Sequence, residues 1–231
     1  MSRTQFPSSA LDAVAGTPDG ATVLVGGFGL AGMPFELLDA LIEQGARDLT
    51  IVSNNAGNGD VGLAALLAAG RVRKVICSFP RQVDSYIFDE LYRAGKIELE
   101  LVPQGNLAER MRAAGAGIGG FYCPTAVGTP LAEGKETRVI DGRTYLLEYP
   151  IHGDVALISA WRADEVGNLV YRKTARNFGP VMATAARTVI AQVAEVVPVG
   201  SLDPEAVVTP GIYVDRVVRV DARSFLAQGA R

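Results

Sequence analysis

The chain has 231 residues, 48% hydrophobic and 20% charged, the composition of a globular protein with one sizeable core rather than of a disordered chain. Its formal net charge of -3 and pI near 5.3 give no overall basic field, which disfavours nucleic acid or an anionic membrane as partner. No apolar run approaches the ~20 residues that cross a bilayer, and the polar start Met1-Ser-Arg-Thr-Gln-Phe-Pro-Ser-Ser9 lacks the apolar stretch of a signal peptide, so a cytoplasmic location is expected.

The first predicted element is an apolar strand at 22–26 that runs into Gly26-Gly27-Phe28-Gly29-Leu30-Ala31-Gly32-Met33-Pro34. Glycines lack a Cβ, so the amides of Gly26, Gly27, Gly29 and Gly32 are expected to turn inward toward an oxygen that a side chain would block. Pro34 suits the first turn of the helix that follows. Gly27-x-Gly29-x-x-Gly32 also matches the dinucleotide fingerprint, which needs an acidic residue near the end of the second strand. That strand, at 49–53, ends in Ser53-Asn54-Asn55 instead, which disfavours a nicotinamide or flavin site. No Gly-Lys-Ser/Thr follows the loop, so a nucleoside triphosphate loop is disfavoured further.

Two more apolar strands are predicted at 74–78 and 98–102, and each of the four strands is followed by helical spacing. The apolar faces are Leu38, Leu41 and Ile42; Leu63, Leu66 and Leu67; Ile87, Phe88 and Leu91; and Leu107 with Met111. Gly45, Gly70, Gly95 and Gly115 fall where a helix end takes a left-handed residue. This alternation predicts an α/β fold, a layered and mostly parallel sheet with flanking helices. The turns at 27–32, 54–59, 79–82 and 103–106 then converge on one crevice beyond the carboxyl ends of the strands. The last three are rich in amides and hydroxyls, which suit a carbonyl or thioester oxygen.

After residue 115 the pattern changes. Turn signals at Asp141-Gly142 and Asp164-Glu-Val-Gly-Asn168 separate alternating runs at 145–149, 155–161 and 169–172, which predict an added β-rich layer or flap over about 116–175. A helix at 177–186 and a strand at 188–193 follow, within a single domain spanning 1–231. Cys77 and Cys123 lack CxxC spacing and read as free thiols, Cys77 buried in its strand. The only histidine, His152, has no ligand-spaced neighbours, so no metal site is expected. His152, Trp161 and Glu148 read as core or hairpin residues.

Five segments in order make this sequence resemble the A subunits of family I coenzyme A transferases of the 3-oxoacid type. They are Asp19-Gly20 leading to the Gly-Gly-Phe loop and Gly32-x-Pro34; Ser53-Asn-Asn-Ala-Gly57; Pro103-Gln-Gly-Asn-Leu-Ala-Glu-Arg110; Gly167-Asn168; and Thr174-Ala-Arg-Asn-Phe178. Cys77-Ser-Phe-Pro-Arg-Gln82 and Asp84-Ser-Tyr-Ile-Phe-Asp-Glu-Leu-Tyr92 resemble the branch that acts on 3-oxoadipate. The resemblance implies ping-pong transfer of CoA from succinyl-CoA through a glutamyl-CoA thioester. It also implies that the glutamate belongs to a B subunit in an A2B2 heterotetramer, with the CoA thioester as substrate and no cofactor. Asn54 stands where the related half carries that carboxylate, and a neutral amide cannot be the nucleophile. No catalytic nucleophile is therefore expected in this chain.

The expected site comprises the loop Gly26, Gly27, Phe28, Gly29 and Gly32 as oxyanion donors, with Asn54, Asn55 and Gln104 around the acyl group. Arg81 is offered as a grip on the second carboxylate of a diacid. Arg172, Lys173, Arg176 and Asn177 form a basic cluster that could face CoA phosphates, an acidic partner patch or solvent alone. Acetoacetate or another short 3-oxoacid is the alternative substrate, and non-catalytic binding of an acyl-CoA the alternative role.

Overall fold

A strand covered on both faces has to be apolar at almost every position, and the first two strands meet that requirement. Thr22–Val25 (β1) is buried after its first residue and Leu49–Val52 (β2) throughout. The structure, a computed structural model, describes residues 4–221; positions 1–3 and 222–231 of the expected single domain lie outside the described residues. A short helix, Ala10–Val14 (α1), precedes β1. Phe35–Gln44 (α2), β2, Leu63–Ala68 (α3), Val72–Cys77 (β3), Tyr86–Arg93 (α4), Glu98–Leu101 (β4) and Gln104–Gly115 (α5) then alternate. Phe121–Cys123 (β5), Thr137–Ile140 (β6) and Arg143–Glu148 (β7) follow, then Gly153–Asp164 (β8), Leu169–Val170 (β9), Gly179–Ala185 (α6), Ala186–Val197 (β10) and Arg216–Arg219 (β11).

The main sheet has the order β11-β10-β8-β1-β2-β3-β4, parallel at every neighbouring pair, with the short β9 antiparallel to β8. The period-2 alternation of strands divides the core into two layers. Val23, Val25, Ile51 and Val75 pack with Leu37, Leu38, Leu41, Leu63 and Phe88 on one face. Leu24, Val52, Ile76, Ala156 and Ile158 pack with Leu107, Met111, Phe178 and Met182 on the other. From β1 the chain moves outward through β2, β3 and β4, then returns to place β8 on the opposite side of β1 and continues outward to β11. The strand order therefore reverses between β1 and β8, the place where parallel sheets open a ligand crevice beyond their carboxyl ends.

The predicted β-rich segment divides. Only β5, β7 and β6 form a separate antiparallel sheet, whereas the run at 155–161 lies in β8, at the centre of the main sheet, and β9 extends its edge. Two terminal assignments also shift. Pro34 is the residue before α2 rather than within its first turn. Gly45, Gly70 and Gly95 are left-handed (φ 97°, 66° and 65°), but after α5 that role falls to Gly117 (φ 69°). Gly115 remains in the helix because a Cβ there would lie 2.4 Å from Thr184 Oγ1, where α5 crosses α6. The Gly115→Ala variant should lose about 1–3 kcal/mol of stability by overpacking. Gly105→Ala, in the same helix with open space around it, should gain about 0.5–1 kcal/mol; urea unfolding of both variants measures the contrast.

Candidate active site at the strand-order reversal

The turn after β1 uses left-handed backbone at Gly27 (φ 126°), Gly29 (φ 59°) and Gly32 (φ 76°). Gly32 also meets a steric limit, since a Cβ would lie 2.4 Å from the carbonyl oxygen of Ala175, whereas Gly29 has open space around it. Several of the expected inward amides are occupied inside the protein. Gly26 N–H donates to Leu157 O of β8 (2.9 Å), Gly27 N–H to Asn177 Oδ1 (3.2 Å), and Phe28 N–H to Ala31 O (3.0 Å). The N–H groups of Gly29, Leu30 and Gly32 have no hydrogen-bond partner among the described residues. The donors that can meet an outside oxygen are thus Gly29 and Gly32, joined by Leu30, while Gly26, Gly27 and Phe28 build the turn.

Asn177 holds this turn in place. Its Oδ1 accepts from Gly27 N–H and Phe178 N–H (2.7 Å), and its Nδ2 donates to Ala31 O and Thr174 O, both at 2.8 Å. One side chain therefore ties the β1 turn to the 3-10 turn Lys173–Arg176. In the sequence Asn177 groups with its basic neighbours; the signal for its role is a lone amide among cations, directly before an apolar helix.

Across the crevice, Asn54 is 2% exposed, and its Oδ1 accepts from Gln104 Nε2 (2.8 Å) and from Ser78 Oγ (2.8 Å). Asn54 and Gln104, distant in sequence, are therefore in direct contact. Asn55 Oδ1 accepts from Gly57 N–H (2.8 Å), closing a tight turn. Asn55 Nδ2, Ser53 Oγ and Asn58 Oδ1 are buried without a partner among the described residues. Three such atoms within residues 53–58 mark a turn that needs groups from outside the chain. A groove of about 710 Å³ brings Phe28 and Gln104 together with Asn177 and Phe178. A second groove, of about 680 Å³, places Lys173 and Arg176 beside Phe28 and Asn177.

Arg81 is directed elsewhere. Its Nε donates to Asp89 Oδ1 of α4 at 2.8 Å, and the side chain remains 60% exposed in that ion pair. Cys77 and Cys123 are free thiols, and burial pushes the Cys77 thiol up to about 12, which keeps it protonated and non-nucleophilic near neutral pH. His152 is exposed. Glu148 is buried at the end of β7, bonded to Lys135 Nζ (2.6 Å) and Asn106 Nδ2 (3.0 Å), where it joins the small sheet to α5. Trp161 lies under the Arg162 guanidinium at 4.2 Å. No group of three or more His, Cys, Asp or Glu suited to a metal occurs among the described residues, and no helix there is long and apolar enough to cross a membrane.

Replacing Asn177 by alanine removes the acceptor of Gly27 N–H and the donor to Ala31 O together. The Asn177→Ala variant should lose about 2 kcal/mol of stability in denaturant unfolding. An unchanged midpoint would mean that the turn holds its shape without this clamp.

The family model described as coenzyme A transferase matches residues 8–220. The chain is 70% identical over 212 residues to the A subunit of the 3-oxoadipate CoA-transferase of Pseudomonas putida, covering 92% of each. It is 52% identical over 211 residues to the A subunit of the probable succinyl-CoA:3-ketoacid coenzyme A transferase of Bacillus subtilis (strain 168), covering 91% of this chain and 88% of that one. The structure of the acyl-CoA transferase YdiF apoenzyme from Escherichia coli O157:H7 superposes with a TM-score of 0.85 at 28% identity, over 95% of this chain and 48% of that one. This chain thus spans about half the length of that solved chain. With the family match running from before α1 to beyond β11, and high identity over more than nine-tenths of the sequence, the chain belongs to the coenzyme A transferase family.

Proposed function

We propose that this chain is the A subunit of a 3-oxoacid CoA-transferase that moves CoA from succinyl-CoA to 3-oxoadipate, with the nucleophilic glutamate supplied by a B subunit in an A2B2 assembly. The observation that carries this reading is the neutrality of the interlocked polar groups at the crevice: Asn54, Ser78, Gln104, Asn177 and the open amides of Gly29, Leu30 and Gly32. They can donate to oxygens; the amides cannot form and release an acyl bond, and the Ser78 hydroxyl is hydrogen-bonded to Asn54 O and Oδ1 rather than to a base that would activate it. In the proposed route the glutamate carboxylate attacks the thioester carbonyl, forming a succinyl-glutamyl anhydride and releasing CoA thiolate. The thiolate attacks the glutamyl carbonyl, giving glutamyl-CoA and releasing succinate. The 3-oxoacid carboxylate then attacks glutamyl-CoA, and the same two steps in reverse give 3-oxoacyl-CoA and free glutamate. Each transfer passes through a tetrahedral oxyanion, and amide donors fixed beforehand stabilise that charge by about 3 kcal/mol each. The 70% identity to the Pseudomonas putida 3-oxoadipate enzyme supports the choice of acid. The reading uses the CoA thioester as substrate with no further cofactor, in the cytoplasm.

One observation favours a second acid. The Arg81–Asp89 ion pair occupies the guanidinium offered for a second carboxylate, so a 3-oxoacid with one carboxylate, such as acetoacetate, does not depend on Arg81.

The deciding experiment measures CoA transfer from succinyl-CoA to 3-oxoadipate and to acetoacetate, with this chain alone and with its B subunit. Activity is expected only in the pair, with 3-oxoadipate preferred. Transfer by the single chain would overturn the shared site, and preference for acetoacetate would replace the substrate. In the active pair, Gly29→Val should leave assembly intact and reduce turnover by at least about a hundredfold, because a branched residue resists φ 59° and disturbs the open amides. Lost assembly would instead assign Gly29 to packing.

A further inference from the structure

The turn after β3 brings a hydroxyl that carries no expected site role, although it lies within the segment Cys77-Ser-Phe-Pro-Arg-Gln82. Ser78 Oγ lies 2.8 Å from Asn54 Oδ1 and 3.1 Å from the Asn54 backbone oxygen. The N–H groups of Ser78 (3.2 Å) and Phe79 (3.0 Å) donate to that same backbone oxygen, and Asn55 and Phe79 form a parallel bridge. The β3 turn is therefore sewn to the β2 turn at the residue where the family resemblance puts an amide opposite a reacting carboxylate. From α5, Gln104 Nε2 completes the second contact to Asn54 Oδ1.

A primary amide can be turned over, exchanging its acceptor and donor ends. Two donors on Oδ1 select one orientation, and in that orientation Nδ2 has no partner among the described residues although the side chain is 2% exposed. Unlike Asn55 Nδ2, this donor end is not fully buried, so an acceptor from outside the chain can reach it. We infer that Ser78 is a positioning residue for CoA transfer: by holding Asn54 Oδ1, it turns Asn54 Nδ2 toward the oxygen of a reacting carboxylate. The inference rests on the transferase reading above. Ser78 itself touches no reacting atom and acts only through the orientation of Asn54.

The test uses the assembled pair with Ser78→Ala, Ser78→Cys, Asn54→Ala and the double variant Ser78→Ala/Asn54→Ala. The alanine variant at Ser78 should lower kcat/KM for the 3-oxoacid about tenfold, and the thiol, a weak donor of similar size, should fall between it and wild type. The double variant should be no slower than Asn54→Ala alone, because both changes remove the same oriented donor. A loss carried by KM for the 3-oxoacid identifies that acid's carboxylate as the acceptor. A loss carried by kcat and shared by glutamyl-thioester formation from succinyl-CoA alone identifies the glutamate of the B subunit. Wild-type kcat/KM in Ser78→Ala, or losses that multiply in the double variant, would overturn the role of Ser78. If Ser78→Ala does not assemble, Ser78→Cys at wild-type kcat/KM overturns it instead. An inactive wild-type pair would overturn the transferase reading beneath it.

Discussion

The reversal of strand order between β1 and β8 is the constraint on which the site depends. Parallel pairing of Val23 with Val155 and Val25 with Leu157 places two strands side by side whose following chain segments leave in opposite directions along the sheet. The gap that opens above them is filled by backbone rather than side chains, because Gly26 N–H bonds Leu157 O directly and Gly32 lies against Ala175. That close approach explains why the β1 turn commits its first amides to holding itself against β8 and Asn177. The turn is then tied internally by its first amides, and its last amides are left without a partner among the described residues. Bonded and open amides are divided along one loop of seven residues, 26–32, with glycine required at Gly27 by its backbone conformation and at Gly32 also by the approach of Ala175.

The same logic of fixed, neutral donors extends to the other side of the crevice. Charge at the reacting centre would have to be desolvated when the crevice closes, whereas amides already committed on one end and open on the other require little reorganisation. The cations of this region are kept at the margin. Lys173 and Arg176 line a groove open to solvent, and Arg81 is paired with Asp89. The buried charge of Glu148 lies in the joint between α5 and the small sheet, where Lys135 and Asn106 satisfy it. Charge thus serves structure at a distance from the interlocked amides.

Much of this architecture is legible in the sequence, and the exceptions share a cause. The first four strands and helices follow from local patterns: apolar runs, 3.6-residue spacing and glycine stops. The segment at 155–161 alternates like a half-exposed strand, yet its partners are β1, more than a hundred residues earlier, and β10; no local pattern encodes that pairing. Gly115 reads as a helix stop because glycine commonly is one, and only the approach of Thr184 from α6 reveals that it serves close packing instead. Arg81 reads as a grip for a second carboxylate because the path of the turn that brings it to Asp89 is not written in the intervening residues. At the site, residue types are legible but their saturation is not. Asn54 and Gln104 stand out at the ends of strands, whereas Ser78 and Asn177 lie within family-like segments whose residue types do not disclose which groups they hold.

Saturation is also what makes the crevice unfinished. A folded protein pairs nearly all its buried polar atoms, and one left open costs about 1–3 kcal/mol. The turn at 53–58 leaves three such atoms open, beside an Asn54 amide whose donor end is free and a glycine loop with three unpaired N–H groups. Elsewhere the chain closes comparable groups, as where the buried Gln192 of β10 caps the first turn of α2 through Leu37 N–H at 3.2 Å. Most of the buried side-chain atoms left open among the described residues therefore fall within this one turn, with Arg71 Nε an example outside it. Under the proposed function, that cost is sustained where oxygens would arrive from outside: those of an acyl group, of an attacking carboxylate, and of a B subunit. On the proposed reading, stability given up by the single chain is recovered on assembly and in the transition state, which would link the open polar atoms of this turn to an active site shared with a B subunit.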